Sequence, residues 1–134
     1  MNPYQNFWGK NKIGRGTKIG AYCEVGNATI GKNCSIQAFC YICPTTIIED
    51  NVFLGPGVIT LNDKYPPSHG KYWAPVIIKK GASVGGGSVL CPGITIGKGA
   101  KIGAGSIVTK DIPDGETWCG NPIKLLRRKN DSIF

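Results

Sequence analysis

Residues 30–55 read IGKNCSIQAFCYICPTTIIEDNVFLG, and an aliphatic side chain recurs at every sixth position of this stretch. The recurring residues are Ile30, Ile36, Ile42, Ile48 and Leu54. A period of six fits neither an α-helix, which repeats about every 3.6 residues, nor a long strand, which alternates at every second residue. It is typical of short strands joined by equivalent corners, with three strands to a triangular coil.

The same period continues in the second half of the chain. There the aliphatic position is held by Ile78, Val84, Leu90, Ile96, Ile102 and Val108. Ile78 follows Leu54 by 24 residues, which is four periods, so both halves share one register. An earlier series of the same period consists of Ile13, Ile19 and Val25. The step from Val25 to Ile30 is only five residues, which predicts a one-residue deletion at a corner.

Two further positions repeat with the same period. Glycine often follows the aliphatic residue, as at Gly14, Gly20, Gly26, Gly31, Gly55, Gly85, Gly97 and Gly103. The fifth position of each hexad is small or β-branched, and includes Thr17, Cys23, Cys34, Cys40, Thr46, Val52, Val58, Ala82, Ser88, Ile94, Ala100 and Ser106. This pattern predicts an all-β fold, a left-handed parallel β-helix of hexapeptide repeats; another β-solenoid is the alternative.

The chain of 134 residues is expected to form a single β-helix domain, residues 1–134. Its predicted parts are N-terminal coils at 10–59, an inserted loop at about 60–77, C-terminal coils at 78–113 and a short cap at 114–134. Residues 123–129 read IKLLRRK and are predicted to form a short helix over the open end of the coil. Stacked folds need such a cap.

Composition limits the functional classes. The formal charge of +8 suggests an anionic partner such as a phosphate or nucleotide, but most lysines are dispersed one per repeat, which argues against a nucleic-acid surface.

No apolar run approaches the roughly 18 residues of a membrane span, and we expect a cytoplasmic protein without a membrane partner. The six cysteines fit small core positions better than disulfides, and no metal site is expected, since Cys40 and Cys43 have no matching pair.

The repeat is interrupted once, between Thr60 and Ile77. The segment reads LNDKYPPSHGKYWAP from residue 61 to 75 and contains the only histidine of the chain, His69. Insertions in a solenoid form projecting loops, and loops on a rigid scaffold are where binding and catalysis concentrate. We therefore expect the site here, although a loop that only packs against other subunits is the plain alternative.

The hexads resemble those of the bacterial hexapeptide-repeat acyltransferases over about residues 10–126. This family forms left-handed β-helices and usually homotrimers. Ile36-Gln37, Asn62-Asp63 with Pro66 and Ser68, and GASVG at 81–85 look like a branch that N-acetylates nucleotide-linked amino sugars for surface glycans. The resemblance implies that Asn62 lies near the acceptor amine. It also implies substrate contacts from the loop and the preceding coil, at Gln37, Tyr65, Ser68 and Tyr72.

One departure from that branch is visible. Its members often carry arginine between the loop proline and serine, where this chain has Pro67. The identity of the anionic part of the acceptor is therefore open.

The C-terminal coils resemble the end that holds acetyl-CoA in this family. GAGSIVTKDIP at 103–113, followed by GNP at 120–122, matches that signature, in which the cofactor lies in a groove between subunits. The implied cofactor contacts are small residues and phosphate-binding cations, namely Gly85, Gly86, Gly87, Gly103, Ala104, Lys110, Lys124 and Arg127. Each glycine is equally explained by the corners of the fold.

Two residues are candidates for proton transfer. An O-acetyltransferase of this superfamily uses a histidine as base, and His69 is available for that role; Asp63 is the other candidate. A neutral amine needs neither, since orientation by Asn62 supplies much of the acceleration. The alternatives to an acetyl-CoA-dependent N-acetyltransferase are thus a sugar or small-molecule O-acetyltransferase, a non-catalytic binding solenoid and, with one histidine, a zinc-dependent carbonic-anhydrase-like enzyme.

Overall fold

Short strands and tight corners alternate along the chain in the computed structural model, which describes residues 4–131. The strands are β1 (Asn6–Trp8), β2 (Lys12–Ile13), β3 (Lys18–Ile19), β4 (Glu24–Gly26), β5 (Thr29–Ile30), β6 (Ser35–Ile36), β7 (Tyr41–Ile42), β8 (Ile47–Ile48), β9 (Phe53–Leu54), β10 (Ile59–Thr60), β11 (Ile77–Ile78), β12 (Ser83–Val84), β13 (Val89–Leu90), β14 (Thr95–Ile96), β15 (Lys101–Ile102), β16 (Ile107–Val108), β17 (Thr117–Cys119) and β18 (Lys124–Arg127).

Successive strands belong to three different sheets, so the chain winds as a triangular coil of about six turns. Sheet A contains β1-β4-β7-β10-β13-β16, sheet B contains β2-β5-β8-β11-β14, and sheet C contains β3-β6-β9-β12-β15-β17-β18. Within each sheet the coil-to-coil pairs are parallel. The chain therefore turns at three edges, which we call the A–B, B–C and C–A corners.

The core is the set of residues that the period of six predicts. The aliphatic residues from Ile30 to Val108 are at most 4% exposed, and the small residues at the fifth position from Cys23 to Ser106 are buried beside them. Each fully buried Ile, Leu or Val contributes about 1.5–3 kcal/mol of transfer free energy. The all-β fold of hexapeptide repeats is confirmed.

Pairing between coils explains the two irregularities of the repeat. Ile30 pairs with Ile48, 18 positions on, whereas Ile13 pairs with Ile30, only 17 positions on. The missing residue falls at the corner between β4 and β5, where Asn27 turns the chain with a φ of 48°. Across the loop, Ile48 pairs with Ile78, 30 positions on, so the insertion is two hexads long and the register is kept.

The predicted helical cap is wrong. Residues 117–127 form an antiparallel hairpin of β17 and β18, in which Trp118 pairs with Leu125. Within residues 4–131 no further coil pairs with the outer edge of β17, and β18 returns to satisfy its backbone groups. Trp118 and Ile123 then pack on the end of the core. Residues 132–134 of the predicted cap lie outside the described part of the chain.

The secondary structure from residue 4 to 131 is entirely strands, turns and bends. Within these residues there is accordingly no helix of the length and hydropathy that a membrane span requires.

Candidate active site on two corners of the coil

The inserted loop projects from the A–B corner between β10 and β11. Its base is closed by an antiparallel bridge between Asp63 and Trp73 and by a 2.7 Å hydrogen bond from the Ala74 N–H to the Asn62 carbonyl. Beneath it, the buried Thr60 hydroxyl lies 2.9 Å from the Thr46 hydroxyl. The loop is thus fixed to the rigid coil at both of its ends.

Asp63 acts as a cap inside the loop. Its carboxylate accepts hydrogen bonds from the Ser68 N–H at 2.7 Å and the Tyr65 N–H at 3.2 Å. Desolvation of the carboxyl raises its pKa, but the hydrogen bonds from Ser68 and Tyr65, with a contribution from Trp73, together outweigh it and hold the pKa of Asp63 below its ordinary value. A carboxylate with a lowered pKa whose oxygens are already occupied is a weak proton acceptor.

Asn62 and Ser68 are also partly engaged in loop structure. The Asn62 side-chain N–H donates to the Pro44 carbonyl at 3.1 Å. The side-chain oxygen of Asn62 points away from this hydrogen bond. The Ser68 hydroxyl accepts from the Tyr72 N–H at 3.1 Å. Asn62 therefore keeps its side-chain oxygen for a ligand, as far as residues 4–131 are concerned, whereas Ser68 mainly organises the loop.

The remaining loop candidates are exposed at its tip. His69 has a φ of 55° and precedes Gly70, at 93°, in the outermost turn. No hydrogen bond to its imidazole is formed within residues 4–131. Tyr65 and Tyr72 meet edge to face, with ring centroids 5.2 Å apart and an interplanar angle of 84°. The tip of the loop thus exposes two aromatic rings and an imidazole that no hydrogen bond within residues 4–131 orients.

The C–A corner collects the glycines predicted to hold the cofactor, and their roles differ. A Cβ on Gly85 would lie 2.4 Å from the Ala104 backbone nitrogen, and one on Gly103 would lie 2.6 Å from Cys119 Cβ. These two glycines are therefore needed for contact between coils. Gly87, by contrast, has a φ of 72° and nothing within 4 Å of its missing side chain among the described residues.

Gly57, which the sequence did not single out, and Gly105, which lies in the cofactor signature at 103–113, belong to the same open row. Gly57 and Gly105 have φ values of 74° and 71° and occupy the position of Gly87 in adjacent coils. A Cβ at Gly105 would meet no atom of the described chain within 4 Å, and one at Gly57 would meet only the backbone of Gly87, at 3.8 Å. All three stand three residues after an aliphatic core residue, which is the signal that could have found them.

The backbone donors of this corner are uncapped. At the B–C corner, the N–H groups of Lys32, Lys80 and Lys98 each donate to a carboxylate of a neighbouring coil, at 2.8–2.9 Å. At the C–A corner the equivalent donors belong to Gly86 and Ala104, and neither has an acceptor among residues 4–131. The C–A corner thus presents a line of free N–H groups, one coil apart, beside the open glycine row.

Basic residues lie at the C-terminal end of the coil. The hairpin of β17 and β18 stacks on this corner, where the Gly120 N–H donates to the Ser106 hydroxyl at 3.0 Å, and it carries Lys124 and Arg127. Lys110 projects from the A–B side, and its ammonium lies 5.1 Å from the ring centroid of Trp118. Of these cations, Lys124 pairs with Cys119 beside the C–A corner, whereas Arg127 pairs with Thr117 toward the B–C corner.

The predicted site residues therefore form two groups. The loop gathers Asn62, Asp63, Tyr65, Ser68, His69 and Tyr72 at the A–B corner. Gln37, predicted to join them, instead lies at the C–A corner, where its amide donates to the Ser35 hydroxyl at 2.8 Å. A single chain does not bring the two groups together. Among the described residues no three His, Cys, Asp or Glu side chains come together as metal ligands would.

Comparison with known families identifies the class. The chain matches the bacterial transferase hexapeptide (six repeats) family over residues 12–44, 27–62 and 75–110. These segments cover more than half of the sequence and coincide with the coils on both sides of the loop. The chain belongs to this bacterial hexapeptide-repeat transferase family.

Curated relatives are longer than this chain. Bifunctional protein GlmU of Rubrobacter xylanophilus is 35% identical over 84% of the chain, and the match spans 23% of that protein. Galactoside O-acetyltransferase of Lactococcus lactis subsp. lactis is 35% identical over 98% of the chain, and the match spans 59% of that protein.

Solved structures share the coil. A galactoside acetyltransferase in complex with coenzyme A is 28% identical, with a TM-score of 0.72 over 96% of this chain and 70% of its own. A point mutant of AntD, an N-acyltransferase from Bacillus cereus in complex with dTDP and coenzyme A, gives a TM-score of 0.84 over 98% of this chain and 80% of its own. At 22% identity, the second likeness shows the fold alone.

Proposed function

We propose that the protein is an acetyl-CoA-dependent N-acetyltransferase that acts on the amino group of a nucleotide-linked amino sugar, such as a dTDP- or UDP-linked 3-amino sugar used for surface glycans. The observation that carries the proposal is the C–A corner, where open glycine positions run beside the free N–H groups of Gly86 and Ala104. A thin chain with amide carbonyls, such as the pantetheine arm of coenzyme A, is the ligand that suits such a corner.

Charge gives the cofactor a direction. Lys124 and Arg127 on the hairpin, together with Lys110, suit the 3′-phosphate and pyrophosphate of coenzyme A. The thioester end then points along Gly105 and Gly87 toward the N-terminal coils. Uncapped N–H groups stabilise the negative charge that develops on a carbonyl oxygen during acyl transfer, because they need no reorganisation.

A homotrimer would complete the site. The outward side chains of sheet A are apolar over four consecutive coils, at Tyr41, Ile59, Val89 and Ile107. The corresponding positions of sheet C include Ser35, Ser83 and Lys101. Because sheet A lies between the loop corner and the glycine corner, packing three copies through sheet A sets the loop of each subunit against the C–A corner of its neighbour.

The loop geometry favours an amine acceptor. A hydroxyl needs a general base, but His69 has no orienting partner in the described chain and the Asp63 carboxylate is occupied by Ser68 and Tyr65. A neutral amine is already nucleophilic, and the Asn62 side-chain oxygen can accept one of its hydrogens. The amine nitrogen attacks the thioester carbon, the C–S bond breaks, and the ammonium proton passes to the thiolate or to solvent.

The alternative is an O-acetyltransferase in which His69 is the base. The relationship to the Lactococcus galactoside O-acetyltransferase favours it, at 35% identity over 98% of the chain. In a trimer the neighbouring subunit would have to orient His69. A cytoplasmic location stays a prediction in either case.

One experiment separates these functions. Thiol release from acetyl-CoA is followed with a panel of nucleotide-linked 3- and 4-amino sugars and with galactosides, and the products are treated with alkaline hydroxylamine, which cleaves O-acetyl esters but not amides. We expect stable products from amino acceptors, and His69→Gln to retain most activity. Loss of about a hundredfold or more in His69→Gln, with hydroxylamine-labile products, would establish the alternative.

A further inference from the structure

A column of exposed aromatic rings occupies the N-terminal half of the C–A corner, where the proposed function makes no use of it. Tyr4, Tyr22 and Phe39 are 60%, 56% and 62% exposed. The ring centroids of Tyr4 and Tyr22 are 5.3 Å apart, and those of Tyr22 and Phe39 are 5.2 Å apart with planes only 7° from parallel. These spacings follow the separation of about 4.8 Å between successive coils.

The backbone beneath this column is sterically disfavoured. Tyr22 and Phe39 have φ values of 62° and 65°, in the left-handed region that bulky side chains avoid. Elsewhere in residues 4–131, the same hexad position is held by Gly16, Asn33, Thr45, Asn51, Gly57, Gly81, Gly87, Gly93, Gly99, Gly105 and Gly115. Stacking between the rings offsets part of this strain, but Phe39 is still 62% exposed, which leaves the backbone cost only partly compensated within the described chain.

The column ends abruptly at Phe39. The next coil carries Gly57 at this position, and a side chain there would meet only the Gly87 backbone at 3.8 Å within the described chain. The coil after that carries Gly87, with open space around it. One face of the Phe39 ring is covered by Tyr22, so the other face looks onto a bare coil. The space above it stays bare over the coils of Gly57 and Gly87, and we call its part next to the Phe39 ring the Phe39 slot.

The surroundings of the Phe39 slot select a flat, uncharged ring. The adjacent corner residues are Ala38, Pro56 and Gln37, of which only Gln37 offers polar side-chain atoms. A sugar would leave several hydroxyls without partners there, whereas a nucleobase needs one ring face and an amide for its edge. The proposed function directs the adenine of coenzyme A elsewhere, because Lys124 lies beyond Gly105, and Gly105 is itself three coils from Phe39.

We propose that the Phe39 slot stacks the nucleobase of the nucleotide-linked acceptor, with Gln37 contacting the base edge. This inference rests on the proposed function for the identity of the acceptor. The diphosphate then leads from the slot toward the loop of the neighbouring subunit, where Asn62 contacts the amino group. Stacking on an aromatic side chain depends little on which base is bound, but it is strong enough to govern nucleotide affinity.

The test uses variants that respect the backbone. Phe39→Asn removes the ring, and Asn33 and Asn51 already hold this left-handed position in other coils. Gly57→Asn places a side chain in the slot. The matched control is Gly99→Asn, since Gly99 has a φ of 65° and open space around it but lies at the B–C corner. UDP, dTDP and GDP are titrated calorimetrically into each protein without cofactor.

We expect the best-bound nucleotide to lose about tenfold or more in affinity in Phe39→Asn and Gly57→Asn, and to bind Gly99→Asn within about twofold of the wild type. The inference is overturned if both slot variants bind it normally, or if the wild type binds none of the three. It is also overturned if Phe39→Asn weakens coenzyme A instead, which would assign the slot to adenine, or dissociates the oligomer in sedimentation, which would assign the column to a second copy.

Thiol release by the wild type keeps the two proposals apart. Turnover on amino-sugar nucleotides, with unchanged KM in both slot variants, rejects the stacking and leaves the proposed function intact. The converse result is nucleotide affinity that depends on Phe39 without turnover on any amino acceptor. It upholds the slot and rejects the proposed function.

Discussion

The B–C and C–A corners are built from the same hexad but differ in whether their backbone N–H groups have hydrogen-bond acceptors. At the B–C corner, Glu49, Asp50 and Asp114 cap backbone N–H groups of neighbouring coils. At the C–A corner the equivalent N–H groups of Gly86 and Ala104 have no acceptor within residues 4–131. The B–C corner also has uncapped N–H groups at Arg15 and Asp50 within these residues, so the contrast holds for the C-terminal coils, where we propose the cofactor site. The regular coil is the same at both corners and therefore does not distinguish them.

The largest expected effect is shared by both corners. A Cβ on Gly85 or on Gly97 would lie 2.4 or 2.5 Å from a backbone nitrogen of the next coil. Gly85→Ala and Gly97→Ala should each lower the free energy of unfolding by about 2–3 kcal/mol in urea denaturation. A Gly85→Ala variant of normal stability that loses only acetyl-CoA affinity would show that Gly85 binds the cofactor. It would contradict the structural role assigned here to both glycines.

Removal of one free donor tests the C–A corner directly. Ala104→Pro deletes an N–H at a hexad position where Pro44, Pro56 and Pro92 already occur, so the fold should be kept. We expect kcat/KM for acetyl-CoA to fall about tenfold, corresponding to one lost hydrogen bond. Arg15→Pro makes the same change at the B–C corner and should leave the kinetics unchanged. Equal kinetics in both variants would count against the corner as the cofactor site.

A methyl group on the open row should have a smaller effect. Gly87 and Gly99 share left-handed backbone and open space, at the C–A and B–C corners respectively. Alanine at either position should cost about 1 kcal/mol of stability, measured by thermal and chemical unfolding. Only Gly87→Ala should also raise KM for acetyl-CoA. A similar rise in Gly99→Ala would mean that the two corners are not functionally distinct.

The smallest effect is expected from a cap of the B–C corner. Asp114→Ala removes the acceptor of the Lys98 N–H, now 2.8 Å away. Stability should fall by about 0.5–1 kcal/mol, because the N–H stays exposed to water, and KM should not change. A kinetic defect in this variant, at normal stability, would extend the ligand site beyond the C–A corner.

Sequence periodicity predicts the fold because burial recurs at every turn. Ile36, Leu54 and Ile96 are each at most 1% exposed, as a period of six requires. The loop follows for the same reason, since Pro66 and Tyr72 cannot continue the aliphatic series. The form of the cap is not predictable in this way, because IKLLRRK suits a helix locally, whereas the unpaired edge of β17 imposes a strand.

The sequence proposes candidate residues for the site but does not give their arrangement. A glycine looks the same in sequence whether a neighbouring coil touches it, as at Gly85, or open space surrounds it, as at Gly87. Gln37 lies at the C–A corner, whereas the loop lies at the A–B corner. The period of six alone does not show whether two corners are brought together in an assembly. Phe39 stands three residues after Ile36, where glycine or asparagine is usual, but its exposure and its stacking on Tyr22 exist only in three dimensions.

The loop is fixed to the coil through a narrow base. Its base is closed by the bridge between Asp63 and Trp73, and Val76 and Ile78 resume the core immediately afterwards. Residues 64–72 can therefore be lengthened, shortened or exchanged without shifting any pair of strands. If the loop contacts the acceptor as proposed, replacing this one short segment would change how the amino group is recognised while every coil stays as it was.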